Sequence, residues 1–78
     1  MEDFYIVFPE GDTQEIPGRL RLNQIVDLNG GPLPLPLPGN RMIVFRVAKV
    51  STKEHKGSSE TYHYLELLSA QELLEYCE

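Results

Sequence analysis

The stretch MIVFRVAKV, Met42 to Val50, carries the strongest strand pattern in the chain and is the point from which the fold can be built. Ile43, Phe45 and Val47 alternate along one face. The other face is also mostly apolar and is interrupted by Arg46. Because apolar side chains on both faces are typical of a strand that is covered above and below, this stretch predicts a central strand.

A second strand is predicted after a polar segment. Residues 61–68, TYHYLELL, combine aromatic and aliphatic side chains, whereas residues 51–60, STKEHKGSSE, contain no apolar side chain. A connection of that composition offers no crossover helix, so the two strands are expected to pair antiparallel. We therefore expect a long, mobile hairpin loop over residues 51–60.

The N-terminal half contributes two further predicted strands. Phe4 to Phe8 is aromatic and β-branched and ends at Pro9, which is typical of a strand closed by a turn. The segment RLRLNQIVDL, Arg19 to Leu28, resembles the segment with which small SH3-like barrels enter a strand: a leucine, a turn containing Gly-Asp, then a branched aliphatic pair. Leu22 and Ile25-Val26 match that order, while Asn23-Gln24 stands where Gly-Asp is usual. The resemblance covers about ten residues, implies a binding module without catalysis, and supplies no site residues.

The C-terminus predicts one helix over residues 69–78. Ser69 and Glu72 form an S-x-x-E capping box, which satisfies free backbone N–H groups at a helix start. The 78 residues are therefore predicted as one domain, 1–78, that is mainly β (α+β). Its fold class is a small bent antiparallel sheet or SH3-like open barrel of four to five strands with one C-terminal helix. The predicted core consists of Phe4, Ile6, Phe8, Leu22, Val26, Ile43, Phe45, Val47, Leu65, Leu67, Leu73 and Leu74.

Proline and leucine alternate in GGPLPLPLPG, Gly30 to Gly39. A spacing of two belongs to an extended strand, whereas proline-reading domains need prolines at i and i+3. In such a strand Leu33, Leu35 and Leu37 share one face, and the prolines remove every donor from one edge. Two interpretations stay open: the leucines cover the domain's own core, or they form an interface, most simply with a second copy.

Charge and composition limit the classes of partner that can be expected. Seven basic and twelve acidic residues give a net charge of −5, which repels nucleic acid and anionic membranes at long range. The single cysteine excludes an internal disulfide, and the apolar runs are too short to span a bilayer. We therefore expect a cytoplasmic protein without membrane association.

No residue set specific to catalysis or metal binding can be recognised. His55 and His63 lie eight residues apart, and Cys77 stands beside glutamates, which disfavour the reactive thiolate form of a cysteine. The spacing matches no structural zinc site. We predict no enzyme activity, no catalytic residue, no cofactor and no metal.

The predicted function is a non-enzymatic protein-interaction or assembly module that self-associates, most simply as a homodimer. Its predicted interaction residues are Leu33, Leu35 and Leu37. The alternative is a small nucleic-acid-binding β domain that uses Arg46, Lys49, Tyr62 and Tyr64, because basic groups beside strand aromatics suit phosphate attraction and base stacking. Strict alternation places Arg46 and Lys49 on opposite faces, and nucleic acid is therefore the less favoured partner.

Overall fold

The computed structural model describes residues 1–77, which form five strands and one short helix in a mixed sheet that curves into a half-barrel. The sheet order is β2-β1-β5-β4-β3. This confirms the predicted fold class, a small and mainly β domain with a C-terminal helix. The elements are β1 (Glu2–Val7), β2 (Thr13–Ile16), β3 (Ile25–Val26), β4 (Phe45–His55), β5 (Ser58–Leu67) and α1 (Ala70–Leu74).

β4 and β5 form one long antiparallel hairpin, so the long loop predicted over residues 51–60 is wrong. β4 continues to His55, β5 begins at Ser58, and Lys56 and Gly57 alone form the turn. Gly57 adopts a positive φ of 83°, which glycine reaches without steric cost. Cross-strand pairing lets polar side chains extend the ribbon beyond the core. The opposed polar pairs are Thr52 with Thr61, Lys53 with Glu60, and His55 with Ser58.

The sheet is mixed, whereas an antiparallel sheet was predicted. β1 pairs antiparallel with β2 but parallel with β5, with Phe4 opposite Thr61 and Val7 opposite Tyr64. β5 is thereby the central strand, bonded to β1 on one side and to β4 on the other. After β2 the chain crosses through residues 17–24 to the far edge of the sheet, where it forms β3. That crossing allows two strands from opposite ends of the chain to meet in parallel.

Apolar side chains are buried on both faces of the sheet, because neighbouring residues of a strand point to opposite sides. The first cluster contains Ile6, Val26 and Val47, all fully buried. The second cluster lies on the opposite face and contains Ile25 and Val44. Helix α1 and the proline–leucine segment cover this second face through their buried leucines, Leu73 and Leu37.

Four predicted core residues are exposed instead, each by 57–58%: Leu22, Ile43, Leu67 and Leu74. Ile43 precedes β4, so the alternation read from its neighbours does not extend to it. Leu67 is the last residue of β5, and Leu74 is the last residue of α1. The other predicted core residues belong to the two clusters, with Phe4 and Phe8 half-buried at the edge of the first.

The capping box predicted at Ser69 is confirmed, but the helix is shorter than predicted. The backbone N–H of Glu72 donates to the Ser69 hydroxyl at 3.1 Å, and the Ser69 N–H donates to the Glu72 carboxylate at 3.1 Å. The last turn contains no basic residue, and the glutamate that follows it is unfavourable at the negative end of the helix dipole. The last predicted helix residue, Glu78, lies outside the described residues. Within residues 1–77, no helix has the length and apolar character needed to cross a membrane.

His63 is fully buried on β5, and both of its ring nitrogens bond to backbone atoms. The N–H of Leu20 donates to Nε2 at 3.0 Å, and Nδ1 lies 2.8 Å from the carbonyl oxygen of Tyr5. A carbonyl oxygen can only accept, so Nδ1 carries the proton and Nε2 is the acceptor. The imidazole thereby ties β5 to β1 and to the crossing segment, residues 17–24.

We expect His63→Leu to lower the free energy of unfolding by about 2–4 kcal/mol, because it leaves a buried N–H and a buried carbonyl without this partner. Urea denaturation followed by circular dichroism measures the change. The matched control is His55→Leu at an exposed position of the hairpin, for which a change within about 0.5 kcal/mol is expected. Equal stability of the two variants would contradict a tying role for His63.

Candidate functional site

The proline–leucine segment, residues 30–39, forms an irregular arm and not the predicted strand. It makes only isolated bridges, from Pro32 to Val26 and from Leu37 to Cys77. An irregular arm does not keep a period of two, so the three leucines do not share one extended face.

Leu37, Leu33 and Leu35 occupy three different environments. Leu37 is 3% exposed in the second cluster, and its N–H donates to the carbonyl oxygen of Tyr76 at 2.8 Å. Leu33 is half-buried against the same cluster, and its N–H donates to the carbonyl oxygen of Ile25 at 3.1 Å. Leu35 is 57% exposed, and the peptide bond that follows it is cis. One leucine thus anchors the arm, one lies at its margin, and one faces solvent.

An open groove of about 350 Å³ lies beside Leu35, and we call it the leucine groove. Leu22 and Leu35 line it and remain more than half exposed. Exposed apolar side chains beside an open depression of mixed polar and apolar lining are a feature of interaction surfaces. Sequence reasoning missed Leu22, because the same alternation that predicts a strand also predicts burial. The complete lining is Arg21, Leu22, Asn23, Gln24, Ile25, Leu33, Leu35 and Tyr76.

The turn before β3 forms one wall of the leucine groove. The Gln24 side-chain oxygen accepts from the backbone N–H of Arg21 at 2.8 Å, and Asn23 adopts a positive φ of 68°. Asparagine tolerates this conformation better than most residues do. The turn and strand predicted for this segment are therefore present, and they leave Leu22 pointing into the groove margin instead of the core.

Arg46 supports the opposite wall of the groove. Its Nη1 donates to the Tyr76 hydroxyl at 3.2 Å, its Nε to Glu66 at 2.6 Å, and its Nη2 to Glu72 at 3.3 Å. The hydrogen bonds with Tyr76 and Glu66 raise the pKa of Arg46 above its ordinary value. Bonds from the Ser69 N–H and hydroxyl, together with the weaker effect of Arg46, lower the pKa of Glu72. Arg46 thus positions α1 and Tyr76, and its charge is already paired.

The four residues of the nucleic-acid alternative share one face, so the predicted separation of Arg46 from Lys49 is wrong. A β-bulge in β4 directly before Lys49 shifts the register against β5. As a result Arg46 lies opposite Glu66, and Lys49 lies opposite Tyr64. Tyr64 precedes Glu66 by two residues on β5, so both point to the same face. Tyr62 follows at the same spacing on that face. The single inserted residue thus turns the Lys49 side chain to the face that carries Arg46.

Lysine and tyrosine side chains pack against each other on this face. The Nζ atom of Lys49 lies 5.7 Å from the Tyr64 ring centroid, and that of Lys53 lies 5.6 Å from the Tyr62 centroid. Tyr5 stacks on Tyr62 with ring centroids 5.2 Å apart. Both lysines therefore lie back over β5 in cation–π geometry.

Carboxylates surround the tyrosines. Partial burial raises the pKa of Tyr5, and the negative charges of Asp3, Glu15 and Glu60 raise it further. The strand face therefore carries both signs of charge and no continuous basic stripe.

The histidines and the cysteine lie apart from one another. His63 is buried with both nitrogens bonded, His55 contacts Glu60 at 3.2 Å on the exposed hairpin, and the Cys77 thiol donates to the Leu73 carbonyl at 3.2 Å. In the part of the chain that the structure describes, no three His, Cys, Asp or Glu residues are grouped so that they could hold a metal ion. A second groove of about 360 Å³ has a mixed polar and apolar lining, formed by Phe8, Glu10, Asp12, Thr13, Gln14, Leu28, Asn29 and Phe45.

We expect Arg46→Met to loosen α1 and the Tyr76 wall, with a loss of about 1 kcal/mol in stability because the network is partly exposed. Hydrogen exchange of the Leu73 amide and urea denaturation measure the effect. Because the pKa of Glu72 is lowered, its contribution is present at neutral pH and is lost as the pH falls below the ordinary glutamate pKa of about 4.3. The difference from the wild type should shrink in acid. Arg41→Met, at an exposed arginine, is the control, and equal effects of both substitutions would contradict the role of Arg46.

Comparison with known proteins gives one family match. The model of a family described as "Uncharacterised Treponema protein" matches residues 1–76. No curated protein and no solved structure matches the chain. Since the match extends over nearly all of the 78 residues, the chain belongs to this family.

Proposed function

We propose that this protein is a non-enzymatic interaction and assembly module, and that two copies associate through the leucine groove. The observation that carries the proposal is the exposure of Leu22 and Leu35, by 58% and 57%, beside an open groove whose lining is both polar and apolar. Side chains of this size are costly to leave in water, and each contributes about 1.5–3 kcal/mol when it is fully buried.

Self-complementarity favours a second copy as the occupant. A two-fold interface uses the same patch on both subunits, so that patch must offer a protrusion and a depression together. Here Leu22 and Leu35 are exposed, and the groove of about 350 Å³ that they line is larger than one leucine side chain. Each copy can therefore place a leucine in the groove of the other.

The groove is held in shape before any partner binds. Leu37 anchors the arm that carries Leu35, and Arg46 holds the Tyr76 side chain that forms part of the wall. A preformed surface spends less conformational entropy when it binds.

Size supports association as well. In a chain of 78 residues, burial and conformational entropy nearly cancel, so an additional buried surface is a useful source of stability. We further propose a cytoplasmic location, supported by a single cysteine that offers no intrachain disulfide.

Light scattering over a range of protein concentrations tests the association. We expect the apparent mass to rise toward twice 8.9 kDa for the wild type. Leu35→Asp should shift the transition to about a thousandfold higher concentration, because a two-fold dimer loses about 2 kcal/mol of burial from each of its two copies. Its unfolding in the monomeric range should stay close to that of the wild type, because Leu35 is outside the core.

Leu74→Asp is the matched control, since Leu74 is equally exposed but does not line the leucine groove. It should retain the wild-type mass. A wild type that is monomeric at every concentration would overturn the proposal, and equal loss of mass in both variants would move the interface away from the groove.

The nucleic-acid alternative is favoured by one observation, the bulge that brings Arg46 and Lys49 to the face of Tyr62 and Tyr64. Against it, Arg46 is paired with Glu66 and Glu72, and the lysine–tyrosine surface is bordered by carboxylates. Phosphate binding requires unpaired cations, so the protein-interaction proposal is the stronger one.

We expect no salt-dependent binding of a short single-stranded oligonucleotide at low ionic strength, as measured by fluorescence anisotropy. Binding that weakens with salt and is lost in Tyr62→Ala would establish the alternative instead. Leu67→Ala, at an exposed residue of the same strand, controls for a general loss of structure.

A further inference from the structure

The second half of β4 has an open edge. β3 pairs with β4 only at Phe45 and Arg46. The backbone N–H of Asn23 then donates to the Val47 carbonyl oxygen at 2.8 Å, and the Val47 N–H donates to the Gln24 carbonyl oxygen at 3.0 Å. These are the last backbone contacts that cover this side of β4. From residue 48 to residue 55, no residue of the described chain pairs with β4 on the side away from β5. Alternate backbone N–H and C=O groups of this stretch therefore point into solvent.

Beyond the β-bulge between Val47 and Lys49, this edge lacks the usual obstructions to pairing. Natural edge strands are blocked by prolines, by bulges or by lysines that project outward. Residues 49–55 contain no proline and no bulge. The two lysines, Lys49 and Lys53, lie back over the rings of Tyr64 and Tyr62 on the neighbouring strand. The backbone of the edge is thus accessible to another extended chain.

Local charge indicates what kind of chain fits. The edge and its turn carry Lys49, Lys53 and Lys56 against Glu54, and Glu60 lies opposite Lys53 on β5, whereas the whole protein carries −5. A strand added here would place alternate side chains beside Lys49 and Lys53, on the same face of the sheet. Acidic side chains at those positions gain ion pairs that basic side chains do not.

A second copy is a poor occupant of this edge. Antiparallel pairing of two β4 edges about Ser51 sets Lys49 of one copy opposite Lys53 of the other, and this repels. Pairing about Thr52 sets Lys49 opposite His55 and gains no opposite charge. The edge therefore differs from the leucine groove, for which a second copy is the proposed occupant.

We propose that the open edge of β4, residues 48–55, binds an extended acidic segment of a partner protein as an additional strand. Backbone hydrogen bonds supply the affinity, as in other cases of strand addition. Lys49 and Lys53 supply the preference for acidic side chains. The proposal is independent of the leucine groove.

The test compares NMR spectra of the 78-residue chain with and without an eight-residue peptide. The peptide alternates valine and glutamate and has blocked ends. We expect the peptide to slow hydrogen exchange at alternate amides within residues 48–55 and to shift their resonances. A peptide with lysine in place of glutamate should bind at least about tenfold more weakly, the equivalent of two exposed ion pairs. The glutamate peptide with N-methyl groups on every backbone nitrogen should not bind, since it keeps the side chains but has no backbone donors.

A charge reversal separates recognition from general electrostatics. Lys49→Glu combined with Lys53→Glu should reverse the preference between the two peptides. Arg19→Glu combined with Arg41→Glu makes the same change in net charge at exposed positions away from the edge, and it should keep the wild-type preference.

Three outcomes would overturn the proposal: no protection of residues 48–55, equal binding of both peptides, or resonance shifts confined to the leucine groove. Protection of residues 48–55 that grows with protein concentration in the absence of peptide would also overturn it, because the occupant would then be a second copy. None of these results bears on the mass measured for Leu35→Asp.

Discussion

The fold depends on a buried imidazole that must find one acceptor and one donor away from water. His63 lies on the central strand, and an unpaired polar nitrogen inside the core would be costly. Its acceptor is the carbonyl of Tyr5, available only when β1 lies directly beside β5. Its donor is the N–H of Leu20, available only when the crossing segment passes over the ring. The half-barrel meets both requirements, and in it β2 and β3 form the two opposite edges of the sheet.

The crossing determines what covers the second face of the sheet. Once residues 17–24 have reached the far edge, β3 spans only two residues, and a turn closed by the bond from the Gly30 N–H to the Asp27 carbonyl oxygen leads into the proline–leucine arm. The prolines cannot donate to a ladder, so the arm packs through side chains instead. Leu37 fills the second cluster with Leu73 of α1, and Leu35 is left in solvent next to the turn. The leucine groove is thus the space between the crossing segment, the arm and Tyr76.

The sequence patterns that succeeded are local ones. The alternation around Phe45 and Val47 and the capping box at Ser69 depend on residues a few positions apart, and the structure confirms both. The patterns that failed depend on distant partners. Residues 51–60 look like a loop because they are polar, yet all of them except the turn residues Lys56 and Gly57 pair with a residue across the hairpin. Neither the bulge before Lys49 nor the exposure of Leu22 has a local sequence signal. The register between β4 and β5 determines the bulge, and the position of the crossing segment determines the exposure of Leu22. The groove itself could not be predicted, because contacts between distant segments form it, whereas Leu33 and Leu35 could be named as interaction residues from the sequence.

The two proposed surfaces share one structural origin. The turn formed by residues 21–24 is a wall of the leucine groove, and its Asn23 and Gln24 make the last backbone contacts that cover β4. A longer β3 would pair with the remainder of β4, and it would also move this turn away from Leu35. The shortness of β3 therefore leaves the leucine groove on one side of the turn and an unpaired strand edge on the other. The two surfaces differ in chemistry, because one presents side chains and the other presents backbone groups. The two proposals are for that reason compatible with each other in a single chain of this size.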